Sequence, residues 1–333
     1  MNRHRRPRAF ARTTITFAAI ACALALTTSA AQAQSYPARP IRLVVPFPAG
    51  GGTDAVARLI GLKLGAAFGQ SIIADNRPGA AGAIGCEQVA RSAPDGYTLL
   101  MGTTGTHVTN VATTAHLSYD PLKDFAPVQM VADIPFILVA NPSVKANNVR
   151  ELIALARQKP DGVTYASSGP GGISHLGFEL FNSMAGTKML HVPYKGSPLQ
   201  TEAVVAGEVN LTMDSAPVTV PFIKAGRIRA LGVASARRSA LLPDVPTIAE
   251  AGLPGYEMQV WYGIFAPAAT PPEVLRKLQD GITRALADSD MRDKLASLGA
   301  VPGNAVGAEF GALVKRDLVK WTKVARDAKV KLN

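Results

Sequence analysis

The hydrophobic positions of the chain alternate between short continuous runs and segments with helical spacing. The run Ile41 to Phe47 predicts a short buried strand, which the sequence from Pro48 to Gly52 cannot continue. After this loop, apolar residues recur at helical spacing as far as Gly69, and Thr53 with Asp54 is predicted to cap that helix. This part of the chain is therefore expected to form a strand, a glycine-rich loop and a helix.

The same alternation continues through two further stretches. The first predicts strands over 72–74 and 97–101, with a helix between them. The second predicts strands over 136–139, 163–166 and 189–192, a helix over 149–158 and another ending at Ala185. Strands that alternate with helices are typical of a doubly wound α/β fold with parallel sheets.

Two late helices and two chain crossings complete the predicted organisation. Pro271 and Pro272 open one helix, and a last helix carries Trp321, which is expected to lie in the core. The lobe boundaries are placed near 133–135 and near 262–267. The hypothesis is an α/β fold of two doubly wound lobes, with residues 34–134 and 263–333 in lobe 1, residues 135–262 in lobe 2, and a hinge and an interlobe cleft.

The first 33 residues have the layout of a secretory signal peptide. Five arginines and no acidic residue precede an apolar stretch from Thr14 to Leu26, and Ala31-Gln32-Ala33 forms an A-x-A cleavage site. Cleavage after Ala33 would deliver a periplasmic protein that begins at Gln34. The Sec route is favoured over twin-arginine export, because Pro7 follows the Arg5-Arg6 pair.

Charge and composition narrow the classes of function. The formal net charge of +11 falls to +6 once the five arginines of the leader are removed, and no cluster of basic residues is interleaved with aromatic ones. A nucleic-acid-binding function is therefore disfavoured. About 300 remaining residues, in a chain with 47% hydrophobic residues, can bury the cores of two domains.

Familiar catalytic and cofactor-binding motifs are absent from the sequence. It contains no H-E-x-x-H, no paired C-x-x-C, no G-x-S-x-G elbow, no P-loop and no strand-borne G-x-G-x-x-G. Cys86 lies among apolar residues of a predicted helix and is expected in the core. The remaining histidines are scattered without metal-ligand spacing, so neither a metal nor a cofactor is expected; they are His107, His116, His175 and His191.

Three glycine-rich or hydroxyl-rich loops follow predicted strands directly. They cover residues 46–54, 102–106 and 167–172. Ligands of open α/β sheets bind at the carboxyl ends of strands, and helix starts there offer N–H groups and positive dipole ends to an anion. These loops therefore favour a carboxylate ligand, although glycine also serves tight turns that bind nothing. Asp214, at a predicted strand end, could accept a hydrogen bond from the ligand or cap a helix.

The sequence resembles the Bug-type periplasmic solute-binding proteins, the substrate receptors of tripartite tricarboxylate transporters. The resemblance extends over nearly the whole chain after the leader. It rests on segments such as PFPAGGGTD (46–54), NRPGAAGAIG (76–85), YASSGPGG (165–172), HVPYKGSP (191–198) and LPDVPTIAEAGLPGYE (242–257). It implies a type II periplasmic-binding-protein fold, a monomer without catalytic activity, and a membrane permease as partner.

The resemblance also implies a set of ligand-binding residues. On the first wall of the cleft these are Phe47, Ala49, Gly50, Gly51 and Asp54. The rest of the pocket would be formed by Thr103, Thr104, Ser167, Ser168, Gly169, Gly172, His175, Lys195, Gly196 and Asp214.

Three departures from the family pattern leave the solute open. Gly172 stands where serine is frequent, Asn110-Val111 where Asn-Pro is, and Glu202-Ala203 where a Thr-Asp pair is. Aromatic acids, amides and other small carboxylates therefore remain candidates besides tricarboxylates. Three functions stay open as well: a transport receptor, a receptor that feeds a membrane sensor, and a periplasmic hydrolase that would use Cys86, Ser168 or His175.

Overall fold

The computed structural model describes Met1 and residues 36–330, so the predicted signal peptide and its cleavage site lie outside the described residues. By its internal contacts the chain divides after Ala38, and the two-sheet fold belongs to the unit that begins at Arg39. The helices are α1 (Gly52–Phe68), α2 (Ala83–Ala90), α3 (Asn110–Thr113), α4 (Val149–Gln158), α5 (Ile173–Ala185), α6 (Ser197–Ala206), α7 (Ala216–Lys224), α8 (Pro272–Ala287), α9 (Ser289–Ser297) and α10 (Ala308–Asp327). A 3-10 turn (Ala80–Gly82) precedes α2, and a π turn (Gly105–Thr109) precedes α3.

The strands form two separate sheets. The first sheet contains β1 (Ile41–Val45), β2 (Ile72–Asn76), β3 (Thr98–Thr103), β4 (Phe125–Asp133), β10 (Trp261–Pro267) and β11 (Val301–Pro302), in the order β11-β4-β10-β3-β1-β2. The second contains β5 (Phe136–Ala140), β6 (Thr164–Ser167), β7 (Leu190–Pro193), β8 (Leu211–Ser215) and β9 (Arg229–Val233), in the order β7-β6-β8-β5-β9.

Both sheets are mixed, which corrects the prediction of parallel sheets. β1 is parallel to β2 and β3, and β6 to β7 and β8. β10 instead runs antiparallel to β3 and β4, and β5 runs antiparallel to β8 and β9. The alternation of strands and helices in the sequence identifies only the connections that contain a helix. It gave no direction for β10, which enters the first sheet after the chain has built the second.

Two passages of the chain connect the sheets, and the end of the longer one lies beside the shorter one. β4 ends at Asp133 and β5 begins at Phe136, while the return passage runs from the end of β9 to Trp261. The Ile134 N–H donates to the Val260 carbonyl over 2.7 Å, and Gln259 Nε2–H donates to Asp133 Oδ2 over 2.9 Å. The two passages therefore form one hydrogen-bonded ribbon. The exact division into lobes stays a prediction.

The residues expected in the core are buried. Trp321 on α10 is 1% exposed and Cys86 on α2 is fully buried, as predicted from their apolar neighbours. Close packing also explains why residue 263 is a glycine, because an added Cβ would lie 2.2 Å from the Phe310 ring. Among the described residues, no helix combines the length and the apolar character needed to cross a membrane.

Candidate ligand-binding site

Most of the predicted site residues lie in or just before the first turns of three helices. α1 follows β1 in the first sheet, whereas α5 and α6 follow β6 and β7, which are parallel neighbours in the second. The Tyr194 N–H donates to the Ser167 carbonyl over 2.9 Å and ties the loop before α6 to the loop before α5. Helix starts in this arrangement direct unbonded N–H groups and partial positive charge into the space above them.

The first loop is held by a buried carboxylate. Asp54 is 4% exposed, and its Oδ2 accepts the Gly50 N–H (2.9 Å) and the Arg58 Nε–H (3.0 Å). Its Oδ1 accepts Nδ2–H of Asn76 (3.0 Å), which also donates to the Phe47 carbonyl (3.0 Å). Burial raises the pKa of Asp54, but the donors Arg58, Gly50 and Asn76 outweigh it and lower that pKa. Asp54 thus stays ionised and fixes the backbone that leads to α1.

The start of α1 differs from the predicted cap. Gly51 is the N-cap residue and Gly52 opens the helix, so Thr53 and Asp54 lie in its first turn. The carboxylate of Asp54 reaches back to the Gly50 N–H instead of capping the turn ahead of it. Within the described part of the chain, the N–H groups of Gly52, Thr53 and Asp54 have no acceptor. Ala49, Gly50 and Gly51 are exposed and Phe47 is half-buried.

The second loop uses its own N–H groups internally. The amides of Ser168, Gly169 and Gly171 donate to side chains, namely Ser174 Oγ (3.1 Å), Ser167 Oγ (3.2 Å) and His175 Nδ1 (3.0 Å). The Gly172 N–H donates to the Gly169 carbonyl over 3.3 Å.

The unbonded N–H groups of this segment are therefore those of the helix rather than of the loop. In the described chain, the N–H groups of Ile173, Ser174 and His175 have no acceptor, since Leu176 is the first residue of α5 to bond backward, to the Gly172 carbonyl. The glycines shape the loop: Gly169 and Gly171 have φ of 135° and 73°, which side chains disfavour.

Asp214 neither caps α7 nor offers its oxygens freely. It is 1% exposed and accepts Ser197 Oγ–H (2.7 Å), Thr201 Oγ1–H (2.8 Å) and the Ser215 N–H (2.7 Å). Burial raises the pKa of Asp214, although the hydrogen bonds from Gln200, Ser197 and Thr201 act to lower it. The carboxylate anchors the start of α6, where Gly196 (φ 111°) is the N-cap residue and Lys195 is exposed.

Tyr262, which the sequence analysis placed only at a lobe boundary, belongs to β10 of the first sheet and lies close to the start of α1. Its hydroxyl lies at the start of α1, where a Cβ added to Gly52 would be 3.4 Å from it. Burial, and to a lesser extent the charge of Asp214, raise the pKa of Tyr262. A first-sheet phenol is thus near a second-sheet carboxylate. The tyrosine inside an apolar strand gave no separate signal in the sequence.

The two predicted threonines are buried in the turn after β3. The Thr104 Oγ1 accepts the Trp261 N–H over 2.9 Å, and Thr103 exchanges hydrogen bonds with Thr106. The Thr104 hydroxyl stabilises the junction between β3 and β10, beside Tyr262, whereas the Thr103 hydroxyl stabilises the turn that follows β3.

The histidines are not all scattered, contrary to the sequence interpretation. The rings of His175 and His191 stack with centroids 3.8 Å apart and 12° between their planes. His107 is buried elsewhere, 3.9 Å from the Phe265 ring, where burial lowers its pKa to about 3. No group of three metal-binding side chains occurs within residues 36–330.

The groups named for a hydrolase are not arranged as nucleophile and base. Burial raises the pKa of Cys86 to about 12, which disfavours its thiolate. The Ser168 hydroxyl contacts Ser174 Oγ (3.2 Å) and no histidine. Ser167 does contact His191, but its side chain is fully buried.

Two mixed α/β sheets, joined by two passages of the chain that lie side by side, form the two-lobed architecture of a solute-binding protein. A model of the tripartite tricarboxylate transporter family receptors matches residues 56–329. The chain belongs to this family, whose members are periplasmic solute-binding receptors. The fold and the family expected from the sequence are confirmed.

Relatives cover the chain almost completely. Protein BugT of Bordetella pertussis is 35% identical over 301 residues, which cover 90% of this chain and 92% of BugT. The structure of Rhodopseudomonas palustris Rpa4515 with adipate has 40% identity and a TM-score of 0.81, covering 89% of this chain and 99% of that one. MatC of the same organism, with bound malate, has 35% identity and a TM-score of 0.77, covering 87% and 99%.

Proposed function

We propose that this receptor captures a small dicarboxylate between α1 of one lobe and α5 and α6 of the other, and delivers it to the membrane permease of a tripartite tricarboxylate-type transporter. The observation that carries the proposal is the set of unbonded N–H groups at helix starts on both sheets. Two carboxylates at the ends of one ligand match two separated anion sites. Adipate and malate, held by the two related structures, have this form.

Capture would close the cleft about the paired ribbon. Lobe 1 comprises residues 34–134 and 263–333, and lobe 2 comprises residues 135–262. A ligand that touches both lobes shifts the population toward the closed form by its differential affinity for that form. Scattering should then report a smaller radius of gyration with saturating ligand, and an unchanged radius would contradict closure.

The experiment that tests the proposal is thermal unfolding of residues 34–333 with a ligand panel. The panel contains adipate, malate, citrate, an aromatic acid and a neutral amide. A ligand at a hundredfold excess over its Kd stabilises the native state by about 2.7 kcal/mol. We expect a selective shift with dicarboxylates, confirmed by calorimetric titration. Stabilisation by the neutral amide alone, or by no compound, would contradict it.

Partner and compartment are tested separately. The exported receptor is expected in the periplasm as a monomer that begins at Gln34, which mass spectrometry of the mature protein would show. Ligand-dependent capture of a permease supports transport, whereas capture of a membrane sensor supports the signalling alternative. Hydrolysis of esters or amides, which we do not expect, would revive the enzymatic alternative.

A further inference from the structure

The second loop rests on the stacked pair His175 and His191. His175 belongs to α5, which follows the loop, and His191 belongs to β7, the parallel neighbour of β6, so the stack joins the helix to the sheet beside the loop. His175 Nδ1 accepts the Gly171 N–H over 3.0 Å. His191 Nε2 lies 2.6 Å from Ser167 Oγ, at the other end of the loop. Each ring therefore holds one end of the segment 167–172.

The hydrogen bonds of Ser167 assign the tautomer of His191. Ser167 Oγ contacts His191 Nε2 (2.6 Å), accepts the Gly169 N–H (3.2 Å) and donates to the Gly169 carbonyl (3.1 Å). A hydroxyl has one hydrogen to donate. If that hydrogen goes to the carbonyl, His191 carries its proton on Nε2 and donates it to Ser167, an assignment that nitrogen NMR tests.

The tautomer of His175 follows in the same way. A ring nitrogen that accepts an N–H is unprotonated, so neutral His175 carries its proton on Nε2. That nitrogen lies 4.0 Å from Glu179 Oε1, beyond hydrogen-bond distance, and this oxygen accepts the Tyr165 hydroxyl at 2.5 Å. The pair thus presents one acceptor and one donor to the loop.

We propose that His191 is a positioning residue of the ligand site, which acts through Ser167 and through its stack on His175 to fix the loop that aims the first turn of α5. This inference rests on the proposed function of the site. His191 contacts Ser167 at one end of the loop and is not among the predicted ligand-binding residues.

Three variants separate the effect of the His191 N–H donor from the effect of its ring shape and from that of a histidine substitution elsewhere. His191→Phe keeps an aromatic ring for the stack and removes the N–H donor. His191→Gln restores an N–H donor of similar reach. His116→Phe is the matched control, because His116 is exposed and remote in sequence from the loop.

In dicarboxylate titrations we expect His191→Phe to weaken binding about tenfold, the usual effect of one lost hydrogen bond. His191→Gln should recover most of the affinity, and His116→Phe should match the parent protein. Ser167→Ala should also weaken binding, and the double variant with His191→Phe should be no weaker than the worse single variant. Unchanged affinity in His191→Phe, or additive effects in the double variant, would overturn the proposal.

The protein without ligand provides an arm that does not depend on the proposed function. Nitrogen NMR should show the proton of His191 on Nε2, and hydrogen exchange at the Gly169 and Gly171 amides should accelerate in His191→Phe but not in His116→Phe. If no dicarboxylate binds the parent protein, the proposed function fails while this arm still decides the positioning role. A proton on Nδ1, or unchanged exchange at both glycines, would reject it.

Discussion

The loops before α1 and α5 occupy equivalent places in the two sheets but are stabilised by different chemistry. An ionised carboxylate, Asp54, organises the first loop through Gly50, Arg58 and Asn76. Neutral hydroxyl and imidazole groups organise the second through Ser167, Ser174 and His175. Both solutions leave the N–H groups of the next helix unbonded. The proposed anion site therefore depends on the helix start, and the loop that leads to it can be fixed by charge or by neutral hydrogen bonds.

The largest expected effect comes from removing the charge that holds the first loop. Asp54→Ala leaves three donors without their acceptor, and we expect the free energy of unfolding to fall by about 3 kcal/mol. Denaturant unfolding measures this, with Asp75→Ala as control, because Asp75 forms partly exposed ion pairs worth at most about 1 kcal/mol. An equal loss in both variants would show that the first loop is not organised by Asp54.

A smaller effect is expected at the start of α6, where a buried carboxylate relies on neutral donors. Thr201→Val removes a donor to Asp214 and should reduce stability by about 2 kcal/mol. Thr219→Val is the matched control, since its buried hydroxyl donates only to the neutral Ser215 carbonyl over 3.2 Å. If the control were the more destabilised of the two, the anchoring role of Asp214 would be wrong.

The two loops should also respond differently to acid. Burial, with the charge of His191 as a smaller cause, lowers the pKa of His175 from 6.5 to about 4, so between these values the unfolded chain binds more protons than the native state. The unfolding free energy should therefore fall as pH drops through this window, by up to about 1.4 kcal/mol per pH unit for this group. The lowered pKa of Asp54 places its own loss of stability below pH 3.8.

Unfolding measured from pH 7 to 4.5 tests this difference. His175→Gln should reduce the slope of the pH dependence, since His107 and His191, whose pKa values burial also lowers, keep their own contributions, whereas Asp54→Ala should shift the curve without changing its slope. Asp133, whose pKa burial raises to about 6, opposes the histidines, because its contribution to stability is lost as pH rises through that value. A slope unchanged in His175→Gln would show that His175 is already protonated in the native state.

The smallest effect is expected at Gly172. A Cβ there would lie 3.3 Å from the Gly169 carbonyl and 3.3 Å from Ser168 Oγ, contacts that need a shift of only a few tenths of an ångström. Gly172→Ser adds a hydroxyl beside the start of α5, and we expect dicarboxylate affinity to rise by less than about 1 kcal/mol. Calorimetry would decide, and a loss of affinity beyond tenfold would mean that the loop cannot accommodate the side chain.

The sequence predicted the fold class and most elements, because strand–loop–helix alternation is a local pattern. It missed the antiparallel entry of β10 and the contact of His175 with His191, since both depend on which strands become neighbours. It placed Asp54 and Asp214 at the site but not their roles, because donors such as Asn76 and Thr201 lie on other turns or strands. Glu202, one of the departures from the family pattern, is exposed.

Trp261 gives the receptor an optical reporter of its own. The chain contains two tryptophans, and Trp261 precedes Tyr262 directly, with its indole N–H donated to Asp317 on α10 over 2.8 Å. Its backbone N–H is bound by Thr104, so its emission senses the β3 junction, the return passage and the last helix together. With Trp321→Phe, a single emitter remains beside the cleft, and ligand capture becomes readable from intrinsic fluorescence without any attached dye.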